Sequence, residues 1–368
     1  MKLLFLTVIP SPYQRQLFTA LAARGDVDVQ VFYFTAGAHD RSWAIPDLHP
    51  FETILPGRTL TRLGPSAHWN PGIMGRIAQA DPDLVIVSDY SAVTAQVAMR
   101  GMARRGLPFV FWGEVPGFST RGQLGTFLRR QLQAPLRHAR AIAAMGSVAV
   151  PAYRALCPGL PVANIPYFCD LAPFRAARDA ATTDPDTIDV LFSGQMIPRK
   201  GFDVLLTAFD RVARSHPQLR IVALGGGPAQ DEYAAAVPAD LRDRVVFLGH
   251  RDPADLPQVF AAADLFCLPS RHDGWGVVVN EALGAGLPVL VSDAVGAGPD
   301  LVQDGETGFI TPAGDADALA QVLDRLAGDA ALRARMTEAV CAAAARWDVD
   351  EGARRWASLA HDLLGPKA

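Results

Sequence analysis

Leu265-Phe-Cys-Leu-Pro269-Ser-Arg-His-Asp273-Gly-Trp-Gly276-Val-Val-Val-Asn-Glu281-Ala-Leu-Gly-Ala-Gly-Leu-Pro288-Val-Leu-Val-Ser292 is the stretch on which the fold turns. Four consecutive apolar residues, Leu265–Leu268, read as a strand buried on both faces, as in a parallel sheet. A glycine-bearing loop follows, a helix is expected over Gly276–Gly284, and Pro288–Ser292 reads as the next strand. Strand, helix and strand in that order make a βαβ unit.

Working outward, the same alternation fills the chain. Upstream, strands are expected over Asp189–Phe192, Leu219–Leu224 and Val245–Leu248, with helices over Gly201–Ser215 and Leu256–Ala262. Downstream, Gly308–Ile310 is a strand and the chain is helical from Asp315. The first half repeats the scheme, with strands over Lys2–Ile9, Val27–Phe34, Asp83–Ser88, Pro108–Trp112, Ala141–Met145 and Val162–Ile165, and a helix over Tyr13–Arg24. Between the two series the polar, Pro- and Ala-containing segment Phe168–Thr187 breaks the pattern and reads as a linker. At 368 residues the expectation is an α/β protein of two Rossmann-like, doubly wound domains with a cleft between them. The first covers 1–168, rejoined by a helix over 350–368, and the second 169–349. Ligands of such sheets sit beyond the C-terminal ends of the strands, so the residues that follow each strand carry the functional reading.

Half the residues are apolar and a fifth are charged, which suits two sizeable cores and not a disordered chain. Residues 1–185 hold 18 Lys and Arg against 12 Asp and Glu, and residues 186–368 hold 16 against 26. That split is unlike a uniformly basic nucleic-acid binder, and no nucleic-acid partner is expected. Cys157, Cys169, Cys267 and Cys341 are scattered with no C-x-x-C pair, which favours a reducing compartment and disfavours structural zinc. The first apolar run stops at Pro10-Ser-Pro12, so it reads as a strand and not as a signal or a span. A cytoplasmic protein, or one peripheral on the inner face of the cell membrane, is expected.

Gly274 and Gly276 let the backbone approach a ligand closely. The amides of Gly276, Val277 and Val278 would open the helix and offer a site for a diphosphate. Asp273 and Glu281 are eight residues apart, just over two helical turns, so both can face one cleft. A carboxylate that accepts two hydrogen bonds suits the vicinal hydroxyls of a sugar or ribose. The alternative is a helix N-cap at Asp273 with Glu281 on the surface.

This stretch resembles the E-x7-E signature of the large retaining glycosyltransferase family 4, with Asp273 in the first acidic place. The resemblance implies that Asp273 contacts the hydroxyls of a donor sugar and that Glu281 holds the ribose. Phe192-Ser-Gly194-Gln-Met-Ile-Pro-Arg199-Lys200-Gly201-Phe-Asp-Val-Leu-Leu-Thr-Ala-Phe209 is similar to the family's phosphate loop. There an Arg after the Gly and a Lys before the helix bind the donor phosphates. Lys200 matches; Gln195, after Gly194, stands where the Arg is usual, and Arg199 is the candidate substitute. A solvated loop is the other reading of Arg199 and Lys200. Leu224-Gly225-Gly-Gly-Pro228, with Gly226 at its centre, resembles the family's strand-to-glycine turn, and a simple strand-to-helix turn is its alternative. It is not the G-x-G-x-x-G of a dinucleotide site. Val246-Phe-Leu-Gly249-His250 falls where the family packs the nucleobase, which adds His250 to the donor-binding candidates beside Trp275. The likeness covers most of 188–312 and is looser over the first half.

In that half, Pro10-Ser-Pro-Tyr13 stands where many relatives carry phosphate-binding glycines, and Ser11 and Tyr13 are acceptor-side candidates. Phe111-Trp-Gly-Glu114 lies near where relatives carry a catalytic or substrate-contacting His or acid. Glu114 is the candidate there, a partly buried surface acid being the other reading. Five D-x-D strings begin at Asp26, Asp81, Asp184, Asp315 and Asp348. Each falls in a turn or helix start, where Asp is favoured anyway, and no metal site is expected. Arg121–Arg140 interleaves Arg129, Arg130, Arg137, His138 and Arg140 with Leu124, Phe127, Leu128, Leu132 and Leu136. Such a basic amphipathic helix either lies on an anionic membrane or packs its Leu face on the sheet.

The resemblance implies a GT-B glycosyltransferase without a cofactor, moving a sugar from a nucleoside diphosphate sugar, with retention, to a glycan, glycolipid or small-molecule acceptor. Asp273, Lys200 and Glu114 are its catalytic candidates, Lys200 neutralising the charge that grows on the leaving phosphate. A GT-B-shaped epimerase or phosphorylase shares the fold. A binding subunit that has lost turnover is kept open by Gln195 and the shortened acid Asp273.

Overall fold

A computed structural model describes residues 1–37, 47–60, 67–116, 122–182 and 184–365. The chain divides into two compact units, Met1–Phe168 with Val349–Ala368, and Cys169–Asp348.

In the first unit β1 (Lys2–Thr7), β2 (Asp28–Tyr33) and β3 (Glu52–Ile54) are followed by a small antiparallel pair, β4 (Arg58–Thr59) and β5 (His68–Trp69). Then come β6 (Leu84–Val87), β7 (Phe109–Gly113), β8 (Ala141–Ala144) and β9 (Val162–Asn164). Seven of them form one sheet in the order β3-β2-β1-β6-β7-β8-β9, parallel throughout. β6, β7 and β8 are buried at every position, as strands covered by helices on both faces must be.

The second unit repeats the plan with β10 (Ile188–Ser193), β11 (Leu219–Leu224), β12 (Val245–Gly249), β13 (Leu265–Leu268), β14 (Val289–Ser292) and β15 (Gly308–Thr311). Their order is β12-β11-β10-β13-β14-β15, again parallel. The chain leaves β10 toward one edge and β13 toward the other. That reversal opens a crevice beyond the C-terminal ends of these two strands.

Three expectations are corrected. The supposed linker Phe168–Thr187 holds a helix, Ala172–Ala180, that belongs to the second unit. Its polar and Ala-rich make-up hides one apolar anchor: Phe174 is buried with its ring edge-on to Phe260 at 5.4 Å. The helix expected from Gly276 covers only Val278–Gly284, because Gly276 sits at φ +91°, in the left-handed region. The basic segment is not one helix. A helix over Gly122–Gln133 gives way to a 3₁₀ turn, Ala134–His138, in which Leu136 joins the core. Phe127 and Leu128 are instead 57% and 53% exposed, so the apolar face is split between core and solvent. Arg121 and the Leu124 side chain lie outside the described residues.

The tail forms three helices, Ala316–Gly328, Ala330–Ala344 and Val349–Leu364. Asp315 and Asp329 start the first two by accepting hydrogen bonds from the amides of Ala318 and Leu332. The third lies in the first unit, where Trp356 is fully buried and meets Phe5 and Trp112 edge-on at 5.5 and 5.2 Å. Among the described residues no helix is long and apolar enough to cross a membrane.

Candidate functional site

The loop after β10 runs through a 3₁₀ turn, Pro198–Lys200, to Gly201 and the helix Phe202–Val212. A Cβ on Gly201 (φ +72°) would stand 2.0 Å from the Pro269 carbonyl oxygen, so the loops after β10 and β13 touch backbone to backbone. Only glycine allows both that dihedral and that approach. Cross-links then lock the two loops together. The Arg271 amide donates to the Arg199 carbonyl at 2.8 Å, and Arg199 Nη1 donates to the His272 carbonyl at 2.9 Å. The Arg271 guanidinium grips the Asp203 carboxylate at 2.8 and 2.6 Å and also donates to the Pro198 carbonyl at 2.7 Å.

In this frame Lys200 Nζ donates to Asp273 Oδ2 at 2.5 Å, with the two side chains 14% and 13% exposed. The pair sits where the strand order of the second sheet reverses, one partner after β10 and the other after β13. Asp273 is held from the far side as well. Its amide donates to the Ala294 carbonyl, and its own carbonyl accepts from Gly296, both at 3.0 Å. A third loop closes in from β11: the Met196 amide donates to the Gly226 carbonyl at 2.9 Å, and Gly225 donates to the Gly249 carbonyl at 2.9 Å. The structure therefore gathers Gly194, Gly226, Lys200 and Asp273 on three stitched loops. Gln195, Arg199 and His250 are exposed on or beside them.

Glu281 lies in the first turn of the Val278–Gly284 helix and is half-buried. Desolvation pushes its carboxyl up to about 7. Because Asp273 to Val277 precede the helix, the eight-residue spacing of the two acids is not two turns of helix. Gly274, Trp275, Gly276 and Val277 make up the intervening bend, and Val278 opens the helix. The amides of Gly276, Val277 and Val278 donate to no backbone acceptor among the described residues. Trp275 is 2% exposed, and its indole N–H donates to Asn280 Oδ1 at 2.9 Å, so its side chain anchors the bend.

In the first unit Ser11 stands just past β1. It is buried, and its Oγ donates at 3.0 Å to Gln14 Oε1, which also accepts from Thr7 Oγ1 at 3.1 Å. Tyr13 is half-exposed, its ring edge-on to that of Tyr167 at 5.0 Å. The Tyr167 hydroxyl donates to Glu114 Oε1 at 3.4 Å, and Tyr153 holds the Glu114 carbonyl at 2.7 Å. Tyr13, Tyr167 and Glu114, which follow β1, β9 and β7, are thus brought together. Tyr167 escaped the sequence reading, and its signal was its place just past a strand. Arg271 escaped it too, since nothing in its neighbours announces Asp203 as its partner.

The D-x-D aspartates serve local structure. Asp315 caps a helix, Asp184 accepts from the Asp186 amide, Asp83 accepts from the Lys2 amide, and Asp26 and Asp348 pair with Arg24 and Arg175. Among the described residues no group of three or more His, Cys, Asp or Glu is placed to hold a metal ion.

Two parallel-sheet units, the second with its glycine-lined crevice, define the class: this is a GT-B fold. HepE of Anabaena, crystallised with UDP, matches 98% of this chain and 100% of its own at a TM-score of 0.74 and 22% identity. Sucrose-phosphate synthase of Thermosynechococcus elongatus matches 99% of each chain at 0.75 and 21%. Residues 174–341 match the family model described as Glycosyl transferases group 1, a likeness carried by the second unit. A D-inositol 3-phosphate glycosyltransferase of Stackebrandtia nassauensis is 34% identical over 200 residues, 52% of this chain and 43% of the relative. A phosphatidyl-myo-inositol mannosyltransferase of Mycobacterium leprae is 35% identical over 177 residues, 48% of this chain and 45% of the relative. The matches thus span less than half the length of these relatives.

Proposed function

We propose that the protein transfers a sugar from a nucleoside diphosphate sugar to a carbohydrate, glycolipid or small-molecule acceptor with retention of anomeric configuration. The observation that carries this reading is the Lys200–Asp273 pair at the strand-order reversal of the second sheet, framed by loops that a Cβ would obstruct. Lys200 takes the donor phosphate and stabilises the charge that develops as it leaves. Arg199 supplies the second cation beside Gln195, and the amides of Gly276, Val277 and Val278 supply further donors. Asp273 orients the sugar hydroxyls and Glu281 accepts from the ribose, while His250 lies on the nucleobase side with Gly194 and Gly226. Glu114 and Tyr13 serve the acceptor, which attacks on the face from which the phosphate departs. Relatives named for inositol phosphate and phosphatidyl-inositol support a polyol or glycolipid acceptor. A second partner, an anionic membrane surface, is favoured by the exposed Phe127 and Leu128 among the arginines of that segment.

A thermal-shift screen with UDP, GDP and ADP identifies the base, since binding raises stability by mass action. Lys200→Ala is expected to lower kcat/KM by about 100-fold. With Lys200 and Arg199 as the phosphate cations, turnover is expected to persist in excess EDTA. Sugar phosphate formed from donor alone indicates a phosphorylase. No shift with any of the three nucleotides, in folded protein, overturns the reading.

A further inference from the structure

We infer that Asp273 gates the phosphate site, holding Lys200 when no donor is bound and selecting the intact sugar nucleotide over a free diphosphate. The inference deepens the donor-site reading above and rests on it. The two residues lie 73 positions apart in the chain, yet their contact is direct, largely shielded from water and fixed on both loops. Of the neighbouring guanidinium groups, Arg271 is held by Asp203, and exposed Arg199 makes its one side-chain hydrogen bond among the described residues, through Nη1, with the His272 carbonyl and not with Asp273.

An anion that takes Lys200 Nζ as its donor comes within about 6 Å of the Asp273 carboxylate, one hydrogen-bond length beyond the present contact. In a site so poorly screened, two negative charges at that separation repel strongly. A free diphosphate therefore competes with Asp273 for the Lys200 ammonium and leaves that carboxylate facing it. A diphosphate that carries a sugar brings hydroxyl donors with it. Its phosphate satisfies Lys200 while its hydroxyls satisfy Asp273, and both members of the pair find partners. Transfer removes the sugar, and those hydroxyls leave with it. Asp273 then faces the diphosphate product alone, and re-forming the Lys200 contact favours release.

The test is calorimetry with inorganic pyrophosphate, which needs no knowledge of the base or sugar. It compares wild type, Asp273→Asn, Lys200→Met, the double variant and Asp324→Asn, a distant loss of the same charge on an exposed residue. Asp273→Asn is expected to tighten pyrophosphate binding about tenfold, with a steeper salt dependence, although it slows sugar transfer. The gain should vanish in the Lys200→Met background, and Asp324→Asn should show none of it. Should Asp273→Asn misfold, Asp273→Ser carries the same expectation. Unchanged or weaker pyrophosphate binding in the Asp273 variant overturns the gate, as does an equal gain without Lys200. Failure of every folded variant and the wild type to bind pyrophosphate would sink the donor-site reading instead, and the gate with it.

Discussion

A carboxyl held near pH 7 by burial is half protonated under ordinary assay conditions, and Glu281 is such a group. Its ionised form offers both oxygens as charged acceptors to the hydroxyls of a ribose, whereas the protonated form turns one of them into a donor. Nucleotide affinity is therefore expected to rise from pH 6 to pH 8 and then level off. The same shift makes the opposite demand on stability. Between the ordinary carboxyl range and about 7 the folded chain binds the extra proton, so this residue's contribution is complete at low pH and is lost as pH rises through 7. Glu281→Gln should flatten both dependences and weaken nucleotide binding by about 1–3 kcal/mol. Calorimetry at pH 6, 7 and 8 on both proteins decides the matter, and a flat wild-type profile removes Glu281 from the ribose. At this scale the sequence offers Lys200 and Asp273 as candidates because a charge just past a buried strand has few structural uses, but their contact with each other is not legible there. Nor is the burial of Ser11 and of Trp275. Whether a hydroxyl or an indole turns inward depends on Gln14 and Asn280, whose partnership residue type does not reveal.

Elements were legible in proportion to their burial. β13, β14 and β6 announce themselves as unbroken apolar runs, whereas β3, β4 and β5 are two or three residues of mixed character and pass for loop. The helix Ala172–Ala180 was hidden because a single large apolar side chain, Phe174, anchors it. The segment Arg121–Arg140 posed two alternatives, membrane contact or packing on the sheet, and its described apolar residues divide between core and solvent. Leu136 packs inward while Phe127 and Leu128 do not. Sedimentation with vesicles is expected to increase with anionic lipid and fall with salt. The double substitution Phe127→Ser with Leu128→Ser should abolish it without lowering Tm, since both residues are exposed. Equal sedimentation with neutral vesicles discards the membrane partner.

At the scale of the whole molecule, the two-sheet plan followed from counting alternating runs. The last helix carries Trp356 into the core of the first unit, against Phe5 and Trp112. Trp356→Ala should cost about 3–5 kcal/mol through the cavity it leaves, read as a lower melting temperature. A shift of less than a degree would show that this helix is an accessory. The route of the chain has a further consequence for biosynthesis. The second unit is in effect an insertion within the first, whose missing piece is made last. Emerging from the ribosome, residues 1–168 lack the tryptophan that seals their sheet, while residues 169–348 are already complete. The later-made unit can therefore mature first, and the earlier one must wait, with Phe5 and Trp112 uncovered, until the final helix emerges.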